Sequence, residues 1–437
     1  MTTLKFTSTK EFISWVEKQK RFSPKVSLDK MRYYCDLFDN PQTKFPSIHI
    51  TGTNGKGSVV SYLRTIYQER GLNVGTFTSP YITIFNERIS FNNNPINDQE
   101  LLKIGNFILS KYPLKIGNFI LSKYPLIEKD GYEFPSFFEF ITLICFIYFA
   151  NLKDLDLAII EVGMGGKLDS TNVINPILSV ITNVTLEHEN ILGNTEEAIL
   201  IQKLGIVKPN TPLVTAIKSE NLLKVIKNNL ANEQINLIDD YEIINQNIKG
   251  SIFKSNNIKY KISLLGEHQI LNALTAIKSI ELINKLNIDK FKIDLKTLKK
   301  GLFKTKWPGR LEIVSKKPLI LIDGGHNIDG IKNSCNYIKK LKYKKTRAVV
   351  SISADKNLEE MIKILDTTFD EIIFTKYTYA RSAESDVLYR ISNCQNKQKI
   401  ESIDDSIKYV YEHKYPLTLF IGSLYLVSEI RPKLLKK

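Results

Sequence analysis

One stretch limits what this chain can fold into more than any other: Ile48–Val60, IHITGTNGKGSVV. An apolar strand (Ile48, Ile50) runs into Gly52, Thr53, Asn54, Gly55, Lys56, Gly57 and Ser58, and a helix follows. Glycines let backbone N–H groups come close to an anion, and the helix N-terminus adds its dipole, so the arrangement suits a phosphate. Lys56 can reach the terminal phosphates of ATP, and the Ser58 hydroxyl can ligate Mg2+. The spacing departs from GxxxxGK[ST], because Gly57 separates Lys56 from Ser58. The bland alternative is a glycine-rich turn that happens to hold a lysine. In both readings a strand–loop–helix unit asks for an α/β sheet.

The rest of the chain continues that pattern. Short Ile/Val/Leu runs alternate with helix-period stretches, as in a mostly parallel sheet covered by helices. Strands are expected over residues 47–50, 157–162, 177–182, 319–322, 347–352, 371–375 and 417–421. Helices are expected over 58–70, 134–150, 267–286 and 327–341. Residues 241–265 alternate like a small antiparallel sheet. After Lys300 the strand–helix units restart. The expected fold is therefore α/β: a P-loop-containing N-terminal ATPase domain (1–300) with a mostly parallel sheet and a small antiparallel subdomain, then a smaller Rossmann-like α/β domain (301–437).

Bulk properties exclude several classes. A chain of 437 residues suits two cores, and 43% hydrophobic with 24% charged residues is the balance of a folded protein. Cys35, Cys145, Cys335 and Cys394 are scattered without a CxxC pair, which speaks against disulfides or structural zinc and for a reducing compartment. The N-terminal residues lack the apolar run of a signal peptide. The longest apolar run, residues 137–150, contains Glu139 and falls short of the roughly 20 residues a membrane span needs, so a buried helix and a cytoplasmic protein are expected. Net charge is +15, but the lysines are spread along the chain. A nucleic-acid binder gathers them with aromatics on one face, so no nucleic-acid partner is expected. A positive field also suits small anionic substrates.

Three further regions have residues suited to chemistry. In AIIEVGMGGKLDSTN (Ala158–Asn172) a strand ends at Glu161 and opens into a glycine-rich loop. Ligands of α/β sheets bind beyond the carboxyl ends of strands, where Glu161 suits a Mg2+ carried on ATP; a capped turn with an exposed acid is the alternative. A second strand leads to Glu187 and His188, followed by IQKLGIVKP. Most lone histidines are structural, yet His188, His268 and His326 all fall in polar, loop-proximal contexts, whereas His49 lies within a strand and His413 at a helix end. The last group is GEHQILNA (Gly266–Ala273), WPGR (Trp307–Arg310) and DGGHN (Asp323–Asn327). A fixed arginine suits a triphosphate and Asp323 suits a ribose hydroxyl or an amino group, although capping and turn chemistry explain each segment alone. KIGNFILSKYPL occurs twice in tandem, at residues 103–114 and 115–126. Twelve residues make about three and a third helical turns, so a continuous helix would rotate the second copy by ~120°, and Pro113 would interrupt it. One copy is expected to pack and the other to bulge at the surface, away from function.

Taken in order, these segments resemble the folylpolyglutamate synthase/dihydrofolate synthase family of the Mur-ligase superfamily. GTNGKGS, TSPYITIFNERIS (Thr78–Ser90), EVGMGGKLDSTNV, the His188 segment, IQKLGIVKP, GEHQILNALTAI, WPGRLE, DGGHN and IGSLYLVSEIR (Ile421–Arg431) cover most of the chain. The resemblance implies that Lys56 and Ser58 hold phosphate and Mg2+, with Glu161 and His188 completing that site. Lys203 matches the lysine that the family carbamylates to ligate a second metal, and Ser79 lies near that metal. Asn272, Arg310 and Asp323 would contact ATP, with His326 close by. Tyr81 to Arg88 would form the loop beside the pterin, and Asp169 and Thr171 would face the pterin-bearing substrate. Glu187, Gln202, Leu204 and Gly325 depart from the residues common in the family. Tyr81 stands where bifunctional members carry histidine, which points to polyglutamylation without dihydropteroate ligation.

The implied activity is ATP-dependent ligation of L-glutamate to a reduced folate through an acyl phosphate, with dihydropteroate as a second candidate acceptor. No nucleic-acid or membrane partner is implied, and a monomer is expected. Two rivals share the phosphate loop. A Mur-type peptidoglycan ligase would take a nucleotide-sugar substrate, and TSPYITIFNERIS and DGGHN speak against it. A P-loop ATPase without ligase activity would hydrolyse ATP in the absence of glutamate.

Overall fold

A computed structural model describes residues 4–20, 27–111, 134–286 and 288–435. They divide into two compact units, Met1–Ile238 with Thr275–Asp294, and Asp239–Leu274 with Leu295–Lys437. The division is discontinuous, in contrast to the single boundary near residue 300 expected from sequence, and it falls inside the helix His268–Lys285.

The first unit is built on an eight-stranded sheet. From one edge its strands are Asn94–Pro95, Ile89–Phe91, Val74–Phe77, Leu157–Glu161, Ser47–Thr51, Leu178–Ile181, Leu213–Thr215 and Ile235–Leu237. The edge pairings of Ile89–Phe91 are antiparallel and all others are parallel. Strands buried on both faces need no polar alternation, and the five residues of Ser47–Thr51 and of Leu157–Glu161 are all buried. Ser47–Thr51 lies between Leu157–Glu161 and Leu178–Ile181, with Ile50 opposite Glu161 and Thr51 opposite Ile181. Three neighbouring strands therefore deliver the loops at 52–55, 162–169 and 182–188 to one edge of the sheet.

Helices cover this sheet. Lys56–Glu69 follows the phosphate loop, and Gly55, at φ 88°, opens it in a left-handed conformation that glycine adopts without strain. The apolar run forms the helix Phe137–Asn151, starting at the Ser136 cap rather than at residue 134. Its core partners include Phe12, Trp15, Tyr34 and Ile104. Glu139, the one acid in the run, accepts the Ser136 N–H at 2.7 Å and pairs with Lys30 at 3.0 Å, so its charge is used at the helix start. Among the described residues no helix is long and apolar enough to cross a membrane. Of the tandem repeat, Lys103–Ser110 lies in the helix Asp98–Ser110; the second copy lies outside the described residues.

The second unit carries the antiparallel sheet expected near residues 241–265, made of Glu242–Asn247, Gly250–Ser255 and Ile258–Ile262. It also holds a six-stranded sheet in the order Glu312–Lys316, Leu319–Asp323, Leu417–Ile421, Thr346–Val350, Glu371–Phe374 and Lys397–Lys399, antiparallel only at its first pair. Within this sheet Arg347 is wholly buried, paired with Glu371 and set against the rings of Tyr409 and Tyr415.

Candidate active site

The phosphate loop is shaped by the segment that follows the neighbouring strand. Thr182 Oγ1 donates to Asn54 O at 2.6 Å, and the Asn183 side chain accepts the Asn54 N–H at 2.8 Å. The Thr53 N–H reaches Asn183 O at 3.0 Å, and Thr53 exchanges hydrogen bonds with the Thr185 backbone. A Cβ on Gly52, at φ +146°, would fall 1.9 Å from Thr182 Oγ1, so that position requires glycine. Lys56 Nζ folds back onto its own loop, donating to Gly52 O (2.8 Å) and Thr53 O (3.1 Å). Ser58 is buried at the third residue of the helix.

Beside this loop, Glu161 ends its strand at 4% exposure and accepts the Ser79 N–H at 3.1 Å. Arg88 Nη1 donates to Ser79 Oγ at 3.2 Å, and its guanidinium lies against the rings of Tyr81, Phe85 and Phe137. The Glu87 carboxylate gathers the N–H groups of Ile82, Thr83 and Ile84, which sets the shape of the turn carrying Tyr81. Tyr81 itself donates to Glu17 at 3.0 Å. His188, left-handed at φ 54°, precedes the short helix Glu189–Leu192, and its Nε2 lies 3.6 Å from Glu187.

Lys203 is buried, and burial pulls its amine down to about 7; the charge of Lys56 adds to this, while Glu187 and Asp169 act against it. The glycine-rich loop presses on the same helix. The Lys167 N–H reaches Gln202 O at 2.7 Å, and a Cβ on Gly166 would stand 2.8 Å from Gln202 O and 3.0 Å from Lys203 O.

Thr171, expected to face a substrate, has its side chain in the interior instead. It donates to Asp169 Oδ1 at 2.5 Å and lies 2.8 Å from His49 Nε2. Asp169 is itself buried, and its carboxylate takes the N–H groups of Met164 and Thr171. Burial pushes the Asp169 carboxyl up, and these hydrogen bonds pull it partly back. Both residues shape the loop from below.

In the second unit two motifs at the open end of an antiparallel strand pair meet. Asp323 accepts from the Leu311 N–H, the Gly325 N–H and the Ser334 hydroxyl at 2.8, 2.8 and 2.9 Å, and the Gly324 N–H reaches Gly309 O at 2.8 Å. The Asp323 carboxylate thus ties the WPGR turn to the DGGHN loop, a structural task added to the nucleotide contact expected of it. His326 Nδ1 lies 2.9 Å from Gly324 O, and Asn272 donates to Gln269 at 3.2 Å. Desolvation holds the neighbouring His268 below its ordinary range, with Asp323 opposing and Arg310 reinforcing the shift.

Residues 132–280 match the Mur ligase middle domain, and residues 309–416 match the Mur ligase, glutamate ligase domain. The chain is 37% identical over 443 residues to a dihydrofolate synthase/folylpolyglutamate synthase of Bacillus subtilis (strain 168), covering 98% of this chain and 100% of that protein. The chain belongs to the dihydrofolate synthase/folylpolyglutamate synthase family. It is also 32% identical to a folylpolyglutamate synthase of Lacticaseibacillus casei, with 91% of each chain covered. The apo form of the L. casei FPGS superposes with a TM-score of 0.83 at 28% identity, covering 98% of this chain and 100% of that one. A Mycobacterium tuberculosis folylpolyglutamate synthase complexed with ADP shares the fold, with a TM-score of 0.84 at 24% identity over 98% of each chain.

Within the first unit of this family member, the structure gathers Gly52–Ser58, Ser79, Arg88, Glu161, Asp169 and Lys203 around the carboxyl ends of neighbouring strands. Asn272, Arg310, Asp323 and His326 belong to the second unit. Sequence reasoning missed two features. His49 lies within a strand, and nothing in the sequence signals that its side chain pairs with Thr171. Tyr377, Tyr379, Arg381 and Tyr425 follow strands of the second sheet, where Tyr377 meets Ser353 at 2.7 Å and Tyr379 stacks on Tyr425. Their positions just past strand ends were the available signal.

Proposed function

We propose that this chain uses ATP to join L-glutamate to the side-chain carboxylate of a reduced folate, with dihydropteroate as a second candidate acceptor. A carboxylate oxygen of the folate attacks the γ-phosphorus of ATP, the bond to the bridging oxygen breaks, and ADP leaves. The amine of glutamate then attacks the acyl carbon, phosphate departs and the nitrogen loses its proton, leaving an amide. Lys56 and the N–H groups of the phosphate loop spread the charge that develops on the transferred group. No side chain serves as a covalent nucleophile. Glutamate recognition is assigned to the second unit, which contains the glutamate ligase domain.

Mg2+ fits the donors present. Ser58, in the first turn of its helix, and Glu161, at the end of its strand, offer oxygen donors, and no trio of His, Cys, Asp and Glu among the described residues is gathered tightly enough to hold an ion alone. Mg2+ takes one or two protein oxygens and completes its shell with phosphate and water. Bound there it would neutralise phosphate charge, with Ser79, His188 and Lys203 as the remaining candidate ligands. Lys203 would first add to carbon dioxide: its neutral amine forms the N–C bond, an electron pair moves to oxygen and a proton is released.

The observation that most supports this reading is the phosphate loop with Glu161 beside it and a buried Lys203 that feels the Lys56 charge. Lys56→Ala should lower glutamate- and folate-dependent ADP release about 100-fold or more with the fold unchanged by circular dichroism. Mass analysis of products from ATP, glutamate and either tetrahydrofolate or dihydropteroate identifies the acceptor. A mass gain on neither acceptor would overturn the proposal.

A further inference from the structure

His49 lies three residues before Gly52 in the strand that feeds the phosphate loop, wholly buried and opposite Ile160 and Ser179 on the two flanking strands. An imidazole there loses its water and gains one hydrogen bond, to Thr171 Oγ1. The direction of that bond follows from the next one. Asp169, held by hydrogen bonds from Thr171 and Met164, is an acceptor when ionised, so the Thr171 hydroxyl donates to it at 2.5 Å. Thr171 Oγ1 must then accept, and His49 presents Nε2–H. Nδ1 is left unprotonated, buried and without a partner among the described residues.

The polar chain His49–Thr171–Asp169–Met164 therefore runs from the phosphate-loop strand to the glycine-rich loop. A second link joins the same two segments: Thr51 Oγ1 donates to Gly165 O at 2.6 Å. The glycine-rich loop in turn lies against the backbone of Gln202 and Lys203. A shift at Asp169 thus moves the loop that borders Lys203. Each link of this buried chain resists displacement, because breaking it would leave a further polar group unpaired in a low-dielectric interior.

We propose that His49 is a positioning residue, which acts through Thr171 and Asp169 to hold the glycine-rich loop 163–169 in register with the phosphate loop. Its consequence for turnover rests on the ligase reading above; its consequence for the loop does not. Leucine fills the imidazole volume without a donor, whereas the glutamine amide nitrogen can replace Nε2–H.

The test compares His49→Leu, His49→Gln, Thr171→Val, Thr171→Ser and the His49→Leu/Thr171→Val pair in the full chain. Amide hydrogen exchange of residues 163–169 is read beside steady-state kinetics with ATP, glutamate and folate. His49→Leu and Thr171→Val should each speed exchange in 163–169 and lower kcat about tenfold, with the KM for ATP within about threefold. His49→Gln and Thr171→Ser should restore most of both losses, and the pair should lose no more than the worse single variant. Unchanged exchange at 163–169 in His49→Leu would overturn the proposal, as would equal losses in His49→Leu and His49→Gln, or losses in the pair that multiply. If the parent chain shows no glutamate-dependent turnover, the ligase reading fails, and the exchange data still decide whether His49 positions the loop.

Discussion

Burial acts on His49 more strongly than anything else around the ring and holds it neutral down to about 3, with the charge of Lys208 adding to the shift. Unfolding frees the imidazole to protonate near its ordinary 6.5, so between those two values the unfolded chain binds more protons. Stability from His49 is complete above pH 6.5 and declines as pH falls toward 3, by at most about 1.4 kcal/mol per pH unit. His49→Gln removes this dependence. Urea midpoints measured from pH 7 to pH 5 should fall more steeply for the parent than for the variant, and parallel slopes would exclude the assignment. Lys203 offers a second test at this scale. Its amine, drawn to about 7 first by burial, has a neutral fraction at neutral pH that can take up carbon dioxide. Arginine retains charge and bulk without that chemistry. Lys203→Arg should cost about 100-fold in kcat, as losses of metal-site partners do, with folding intact; near-parental turnover would remove Lys203 from the mechanism.

Elements show why some of this was readable from sequence and some was not. A central strand such as Leu417–Ile421 announces itself because burial on both faces selects an unbroken β-branched and apolar run. The edge strand Asn94–Pro95 has no such run, since its pairing with Ser90 and Phe91 exists only once the chain has folded. The motif order carried the family, yet it could not show that Thr171 turns inward or that Asp323 ties two turns together. Those facts depend on contacts more than ten residues apart, such as Asp323 with Leu311 and Thr171 with His49. Glu139 lies between the two cases. Its place in an apolar run was visible, but its partner Lys30, 109 residues away, was not. Glu139→Ala deletes the hydrogen bond to Ser136 and removes the carboxylate paired with Lys30, whose side chain is 6% exposed. The expected loss is about 3 kcal/mol. Adding Lys30→Met should recover most of it, because burying an apolar chain costs less than burying an ammonium that has lost its carboxylate. Urea unfolding of the two variants decides this: a double variant no more stable than Glu139→Ala would show that the cap, and not the ion pair, carries the energy.

For the whole molecule the question is where one folding unit ends. Reading along the chain suggests that 301–437 is self-sufficient, because strand–helix units restart there. Contacts within the second unit argue otherwise. Leu265 belongs to the same core as Leu311, Leu321 and Leu419, the Ser263 hydroxyl donates to Thr305 O at 2.7 Å, and Tyr337 donates to Asn247 O at 3.0 Å. Segment 239–274 thus completes a core that 301–437 leaves open. Emptying the place of one buried leucine costs about 2–5 kcal/mol, against the 5–15 kcal/mol that holds an ordinary domain together. A fragment of residues 301–437 is therefore expected to be less stable than one of residues 239–437 by about 3 kcal/mol or more. The comparison is weighted against this outcome, since the longer fragment also exposes 275–294, which packs with the first unit. Urea unfolding of both fragments at one pH and salt concentration measures the difference. Coincident midpoints and slopes would place the boundary near residue 300 and make the antiparallel sheet an appendage; a lower midpoint for 301–437 makes the second domain discontinuous in sequence.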